Sequence, residues 1–277
     1  MADDLTQPVI FLSHGAGPSY YMDVKQTPMF KGLDKNSKAA TVLRNFVADH
    51  QIRTPKAIVV FSAHWEETSC TVNTKENHTL LYDYGGFPPE AYTIEWPVTG
   101  DPEVARRVKG LLEARGITCK EEKKRGLDHG VFVPLKLVFP KADIPVVQVS
   151  LLRSMDMSEH LKIGEALSTL SKENILVIGS GFATHAGLSK DLPWAEPFKE
   201  WLHDVISNPK YSANERKTKI LNFKTVETFS KAHPSREHFI PIGICCAASG
   251  YQPAEILFSE FSIGCLLNDH YRFPALK

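Results

Sequence analysis

Lys56-Ala57-Ile58-Val59-Val60-Phe61-Ser62-Ala63-His64-Trp65-Glu66-Glu67 is the stretch whose reading decides the fold. Ala57 to Phe61 is an unbroken apolar run, rich in β-branched side chains and without polar alternation. Such a run predicts a strand covered on both faces, as in a parallel sheet. Small residues and a histidine beside a tryptophan follow, so His64 is expected just past the strand's carboxyl end. In open α/β sheets that edge is where ligands bind.

Outward from this stretch the arrangement recurs. Val9 to Leu12 runs into Ser13-His14-Gly15, and Ile175 to Ile178 runs into Gly179-Ser180-Gly181 before reaching His185. A single histidine of this kind is ordinarily structural or on the surface. Histidines at three equivalent strand ends are read as one site. Gly179-Ser180-Gly181 lacks both the glycine spacing of a dinucleotide fingerprint and the G-x-S-x-G of a nucleophile elbow. It is read as backbone passing close to a ligand.

Helical patterns separate the strands. Ser37 to His50 carries Val42, Phe46 and Val47 on one face, and with its flanking strands reads as a β-α-β unit. Asp101-Pro102 opens a helix as N-cap and first residue, and Gly116 closes it. Ile144 to Val149 reads as a core strand; Ser158 to Leu170 and Trp194 to Ile206 read as amphipathic helices. Lys210 to Lys219 is polar and lysine-rich and reads as a solvated face or loop. From Ser259 onward the pattern suits a short strand or hairpin closing the sheet. Gly15 to Lys38 reads as a loop whose Tyr20, Tyr21 and Phe30 are either pocket wall or buried anchors. No repeat or splitting linker interrupts the chain. The expectation is an α/β fold in a single domain, residues 1–277, with a central, largely parallel or mixed sheet flanked by helices.

Lys plus Arg number 32 and Asp plus Glu 32, so the formal charge is zero. That balance gives no electrostatic reason to expect nucleic acid or an anionic membrane as partner. Cys70, Cys119, Cys245, Cys246 and Cys265 show no CxxC spacing and form no disulfide framework, which suits a reducing compartment. MADDLTQPVIFL is acidic ahead of a short apolar run, unlike a signal peptide, and no apolar stretch approaches the ~20 residues that span a bilayer. A cytoplasmic location is expected.

Two further segments could carry chemistry. Arg125 to Pro134 (RGLDHGVFVP) places Asp128 beside His129, and Ala232 to Pro241 (AHPSREHFIP) holds His233, Glu237 and His238 before a predicted helix. A carboxylate can fix a histidine's tautomer for metal binding or proton transfer, although neighbours in sequence often point apart. His233, before Pro234, either shapes a turn or touches a ligand. His50, His78, His160, His203 and His270 lie on predicted helices or polar loops and are expected to face solvent. The cysteines have no evident base, so a metal bound by histidines, with one more as acid–base, uses the inventory best.

SHG at His14, SAHWEE at His64, GLDHGVFVPL at His129, GSGFATH at His185 and HPSREHF at His238 together resemble the 4,5-DOPA extradiol dioxygenases. These belong to the class III extradiol ring-cleaving superfamily, related to protocatechuate 4,5-dioxygenase. The resemblance implies one divalent metal per chain, ferrous iron for activity, with zinc commonly found in the same site. It implies His14, His64 and His238 as ligands, with Glu237 as the rival to His238. It also implies His185 as the acid–base and His129 as a substrate-pocket residue. The substrates implied are a small catechol-type molecule and O₂. Plant pigment-forming members carry His-Pro-Ser-Asp-Asp where this chain has His185-Ala186-Gly187-Leu188, a departure that bears on DOPA itself and not on the catechol ring. Trp65, Phe132 and Phe182 are candidate apolar walls. Two other readings of the same histidines are a zinc hydrolase or deaminase activating water, and a non-catalytic interaction protein similar to the Memo proteins.

Overall fold

The structure, a computed structural model, describes residues 6–186 and 192–276. Gly187 and Leu188 of the departing stretch lie outside the described residues. Eight strands form one mixed sheet: β1 Val9–Ser13, β2 Ala57–Glu67, β3 Cys70–Asn73, β4 Cys119–Glu122, β5 Val146–Leu152, β6 Ile175–Gly181, β7 Glu255–Ile263 and β8 Leu266–Phe273. Their order is β4-β3-β5-β2-β6-β1-β8-β7. The central four, β5-β2-β6-β1, are parallel, while β8 runs antiparallel to β1 and β3 antiparallel to β5. Among the described residues no helix is long and apolar enough to cross a membrane.

The helices are α1 Lys38–Asp49, α2 Pro102–Glu113, α3 His129–Val138, α4 Met157–Leu167, α5 Ala195–Ser207, α6 Ala213–Leu221, α7 Phe229–Ala232 and α8 Ile240–Ala248. Side chains of β2 alternate between the two cores. Ala57, Val59 and Phe61 pack with α2, α4, α5 and α8, whereas Ile58 and Val60 pack with α1 and α3. Both faces are therefore apolar, which is why the strand carries no polar alternation. The buried stripe of α1 is Ala39, Ala40, Leu43 and Phe46, with Val42 and Val47 only half-buried beside it.

Several expectations need correction. The β-α-β reading of β1, α1 and β2 holds for direction, but β6 lies between the two strands. β2 does not stop before His64: it runs to Glu67, with a register shift between Phe61 and Glu66. Such an irregularity re-aims a side chain without ending the strand. Lys210 to Lys219, read as a solvated face or loop, is mostly the solvated face of a helix. Ser212 and Glu215 form a capping box, and α6 buries Arg216 and Ile220. The Ser-x-x-Glu spacing was the available signal.

Gly179 and Gly181 serve packing. A Cβ on Gly179 would stand 2.6 Å from Cys245 Sγ and 2.7 Å from Pro241 O, and one on Gly181 would strike His238 O. Their bare backbone lets α8 and His238, two residues before it, approach the sheet edge.

The histidines expected in solvent are also drawn inward. His160 and His270 are fully buried, and His50, His78 and His203 are half-buried. His160 Nδ1–H donates to Asp156 O at 2.7 Å and Nε2 accepts from Leu152 N–H at 2.9 Å, tying α4 to the end of β5. His270 Nδ1 accepts from Ser13 N–H at 3.3 Å, and the ring stacks on Phe258. Burial holds His270 down to about 3, helped by nearby His50 and opposed by the hydrogen bond to Asp269 backbone. Unfolded, the group returns to ~6.5, so between these values unfolding takes up a proton. Stability is then full above pH ~6.5 and falls by about 1.4 kcal/mol per pH unit below it from this group. His270→Phe is expected to flatten the pH dependence of the unfolding free energy, read from urea titrations, by that amount between pH 6.5 and 5. An unchanged slope would show that His270 titrates normally in the folded chain.

Candidate functional site

The strand order explains how distant histidines meet. β6 lies between β1 and β2, pairing Gly181 with Ser13 and Ser180 with Ser62. His14 follows directly, its N–H donating to Gly181 O at 3.2 Å. His64 occupies the irregular part of β2, and His129 is the first residue of α3. His238 lies just before α8, its carbonyl accepting from Phe182 N–H at 3.1 Å.

Ring centroids of His14, His64 and His238 are 4.9, 5.1 and 5.0 Å apart, close to an equilateral triangle. His129 stands 3.9 Å from His64, and His185 lies flat on His238 at 3.6 Å. All five predicted histidines are thus brought together. Backbone contacts hold His185 in place. Its N–H donates to Ala232 O at 2.8 Å, and His233, buried, reaches Ala183 O at 2.9 Å. His233 is a brace and does not line the site.

Hydrogen bonds assign the protons. Ser180 Oγ donates to Gly130 O, so it is free to accept from His14 Nδ1 at 3.0 Å. Glu237 Oε1 accepts from His238 Nδ1 at 3.0 Å and from Ser235 Oγ at 2.7 Å. His64 Nδ1 lies 3.7 Å from Asp83 Oδ2. With protons on Nδ1, His14 and His238 carry lone pairs on Nε2, and the carboxylate facing His64 Nδ1 favours the same tautomer there. His14 Nε2 and His64 Nε2 nonetheless face each other across 3.2 Å. Two lone pairs so placed repel unless a cation lies between them, and nitrogens each about 2.0–2.1 Å from one metal ion stand ~3 Å apart. The donor set fits a metal.

Electrostatics favour the neutral, metal-binding form. Burial above all, then neighbouring His64 and His238, pushes His14 well below the usual histidine range. Burial and then His129 bring His64 down to about 4, against the opposing pull of Asp128 and Asp83. Burial also dominates at His238, outweighing the Glu237 hydrogen bond that favours its charged form. At Glu237 burial acts upward, but the bonds from His238 and Ser235 outweigh it and hold the carboxyl below its usual range.

Two further groups have metal-binding spacing: His64, Asp83 and His129, and His185, Glu237 and His238. In both, the carboxylate is already an acceptor for imidazole or hydroxyl protons. A cavity of about 100 Å³ lies between the five histidines, lined also by Gly15, Ala16, Gly17, Phe182 and Leu266. Of the expected walls only Phe182 lines it. Trp65 is turned to Glu67 and Arg125, and Phe132 lies beneath Tyr82 and Tyr84. The aromatics of the 15–38 loop are anchors: Tyr20 accepts from Asn268, Tyr21 donates to Val133 O and Phe30 stacks on Phe87. The loop's small residues, not its rings, form the wall.

Asp128 does not orient its sequence neighbour His129. Its buried carboxylate accepts from Ser62 Oγ and Gln148 Nε2, both at 2.6 Å, and from Arg125 at 3.2 Å. Asp83, from a loop with no motif to mark it, contacts His129 instead. Ser180 was likewise without a role in the sequence reading, since nothing local shows its contact with His14.

Residues 8–273 match the family described as the catalytic LigB subunit of aromatic ring-opening dioxygenase. The chain is 35% identical to a 4,5-DOPA dioxygenase extradiol of Beta vulgaris, covering 99% of each chain. It is 30% identical to the Escherichia coli K12 protein of that name, covering 94% of this chain and 92% of the other. The crystal structure of an uncharacterized protein from Escherichia coli K12 superposes with a TM-score of 0.76 at 26% identity, covering 96% of this chain and 99% of that one.

Proposed function

This chain belongs to the LigB family of aromatic ring-opening dioxygenases, and on that premise we propose that it inserts both atoms of O₂ into a catechol-type, DOPA-like ring at one divalent metal held by His14, His64 and His238. It is an extradiol ring-opening dioxygenase, and its family implies a small aromatic substrate and O₂. One observation carries the assignment of ligands: Nε2 of His14 and of His64 meet across 3.2 Å, with His238 completing the triangle. Glu237 bonds the far nitrogen of His238, which supports it as the residue that orients a ligand and not as the ligand.

Bound there, a ferrous ion would supply the electron transfer between ring and oxygen that imidazoles cannot. The other steps belong to side chains. His129 holds the substrate against the metal site, its Nε2 free because Nδ1 is engaged by Asp83 at 2.8 Å. His185 takes a catechol proton and returns it. Its side chain is 42% exposed, with Nδ1 4.0 Å from Glu237 Oε1, so it can exchange protons with solvent. Burial, and to a lesser extent His129, lowers its pKa despite the opposing charge of Glu237, which leaves it neutral and able to accept. Phe182 and Leu266 give the cavity its apolar wall.

Protein reconstituted anaerobically with Fe(II) should consume one O₂ per DOPA or simple catechol opened, and protein loaded with Zn(II) should consume none. An oxygen electrode and the absorbance of the ring-opened product measure both. Failure of the Fe(II) protein to take up O₂ with any catechol, alongside hydrolytic turnover by the Zn(II) form, would replace this reading with metal-assisted hydrolysis.

A further inference from the structure

Asp83 lies in the loop 80–88, which has no helix or strand of its own yet is firmly braced. Leu80 bridges Leu127, Leu81 N–H donates to Leu127 O at 2.7 Å, and the hydroxyls of Tyr82 and Tyr84 donate to Ile94 O and Ala91 O at 2.8 and 2.6 Å. Both tyrosine rings rest against Phe132. What this framework holds still is one carboxylate. Asp83 Oδ1 accepts from the His129 backbone N–H at 2.9 Å and from its ring Nδ1 at 2.8 Å, while Oδ2 stands 3.7 Å from His64 Nδ1.

We propose that Asp83 is a positioning residue that orients His129 and His64 together, so that substrate binding and metal binding rest on one shared carboxylate. The proposal rests on the dioxygenase reading above. A carboxylate facing Nδ1 keeps the proton there, which leaves His129 Nε2 as a lone pair. His129 therefore meets a ring hydroxyl as an acceptor, not a donor. The two imidazoles are only 3.9 Å apart, so a rotation of either would disturb the other. Asp128, the carboxylate adjacent in sequence, is committed to Ser62, Gln148 and Arg125 and cannot replace it. The bland alternative is that Asp83 merely caps the start of α3 through the His129 N–H. That role would leave metal affinity unchanged.

Asp83→Ala removes both contacts. Asp83→Asn keeps an oxygen for His129 and the same volume, but offers His64 an N–H in place of an acceptor. Zn(II) affinity is measured by competition with a chromophoric chelator, and catechol affinity by the absorbance of 4-nitrocatechol added to the Zn(II)-loaded protein. Both variants should bind Zn(II) ~10–100-fold more weakly than wild type, the range found for residues supporting a ligand. Asp83→Ala should also lose about tenfold or more in 4-nitrocatechol affinity, a loss that Asp83→Asn largely rescues. His129→Ala should lose the catechol and keep Zn(II). Wild-type Zn(II) affinity in folded Asp83→Asn overturns the shared support, and wild-type 4-nitrocatechol affinity in Asp83→Ala overturns the role at His129. Wild-type protein that binds Zn(II) but no 4-nitrocatechol would instead fail the dioxygenase reading, and the proposal with it.

Discussion

His14→Ala and His64→Ala proteins are expected to be purified nearly free of metal while keeping their fold. Each substitution removes one of the two Nε2 atoms that face each other at 3.2 Å. Two remaining imidazoles are too few to hold a divalent ion against water, so turnover should vanish with the metal. His238→Ala should behave in the same way. Glu237→Ala should not: Glu237 lies behind His238, and loss of a supporting carboxylate costs about 10–100-fold in affinity. The ranking His238 well above Glu237 is the informative result. Elemental analysis after dialysis gives it directly, with thermal melts to show that each variant is folded. Full metal content in both His14→Ala and His64→Ala would mean that the ion sits in another donor group, such as His185, Glu237 and His238.

His185→Ala should give the opposite pattern, retaining iron and binding catechol but turning over ~10²–10⁴-fold more slowly, as expected for loss of an acid–base group. The stacked contact with His238 at 3.6 Å places the ring beside the proposed metal site, and its exposure gives the proton a route out. The sign of the pH effect follows from burial, which lowers the pKa of His185. The neutral, accepting form prevails at neutral pH and is lost on acidification. The wild-type rate should therefore fall on an acid limb that the variant lacks. A metal-free His185→Ala protein would make His185 a ligand, and unaltered turnover with iron in place would remove it from the chemistry.

Much of this was legible in the chain itself, and the reason is periodicity. Ala57 to Phe61 is apolar at every position, and a sequence can show that without knowing its neighbours, because burial on two faces is written into consecutive residues. The same rule located β1 and β6, and so placed His14, His64 and His185 at one edge. The five motif histidines were also visible as residues worth noting. What only the tertiary structure decided is how the groups are oriented. β6 inserts between β1 and β2, and glycines at 179 and 181 admit α8, which is how His238 joins residues over 170 positions away. Asp128 precedes His129 in sequence yet turns away, and Asp83, 46 residues distant, takes its place. His160 and His270 read as surface residues and are core: His160 bonds backbone groups at 152 and 156, and His270 the Ser13 N–H of β1, 257 residues away. A hydrogen bond is short-ranged and directional, so its partner depends on where the chain returns in space, which no local pattern of residue types records.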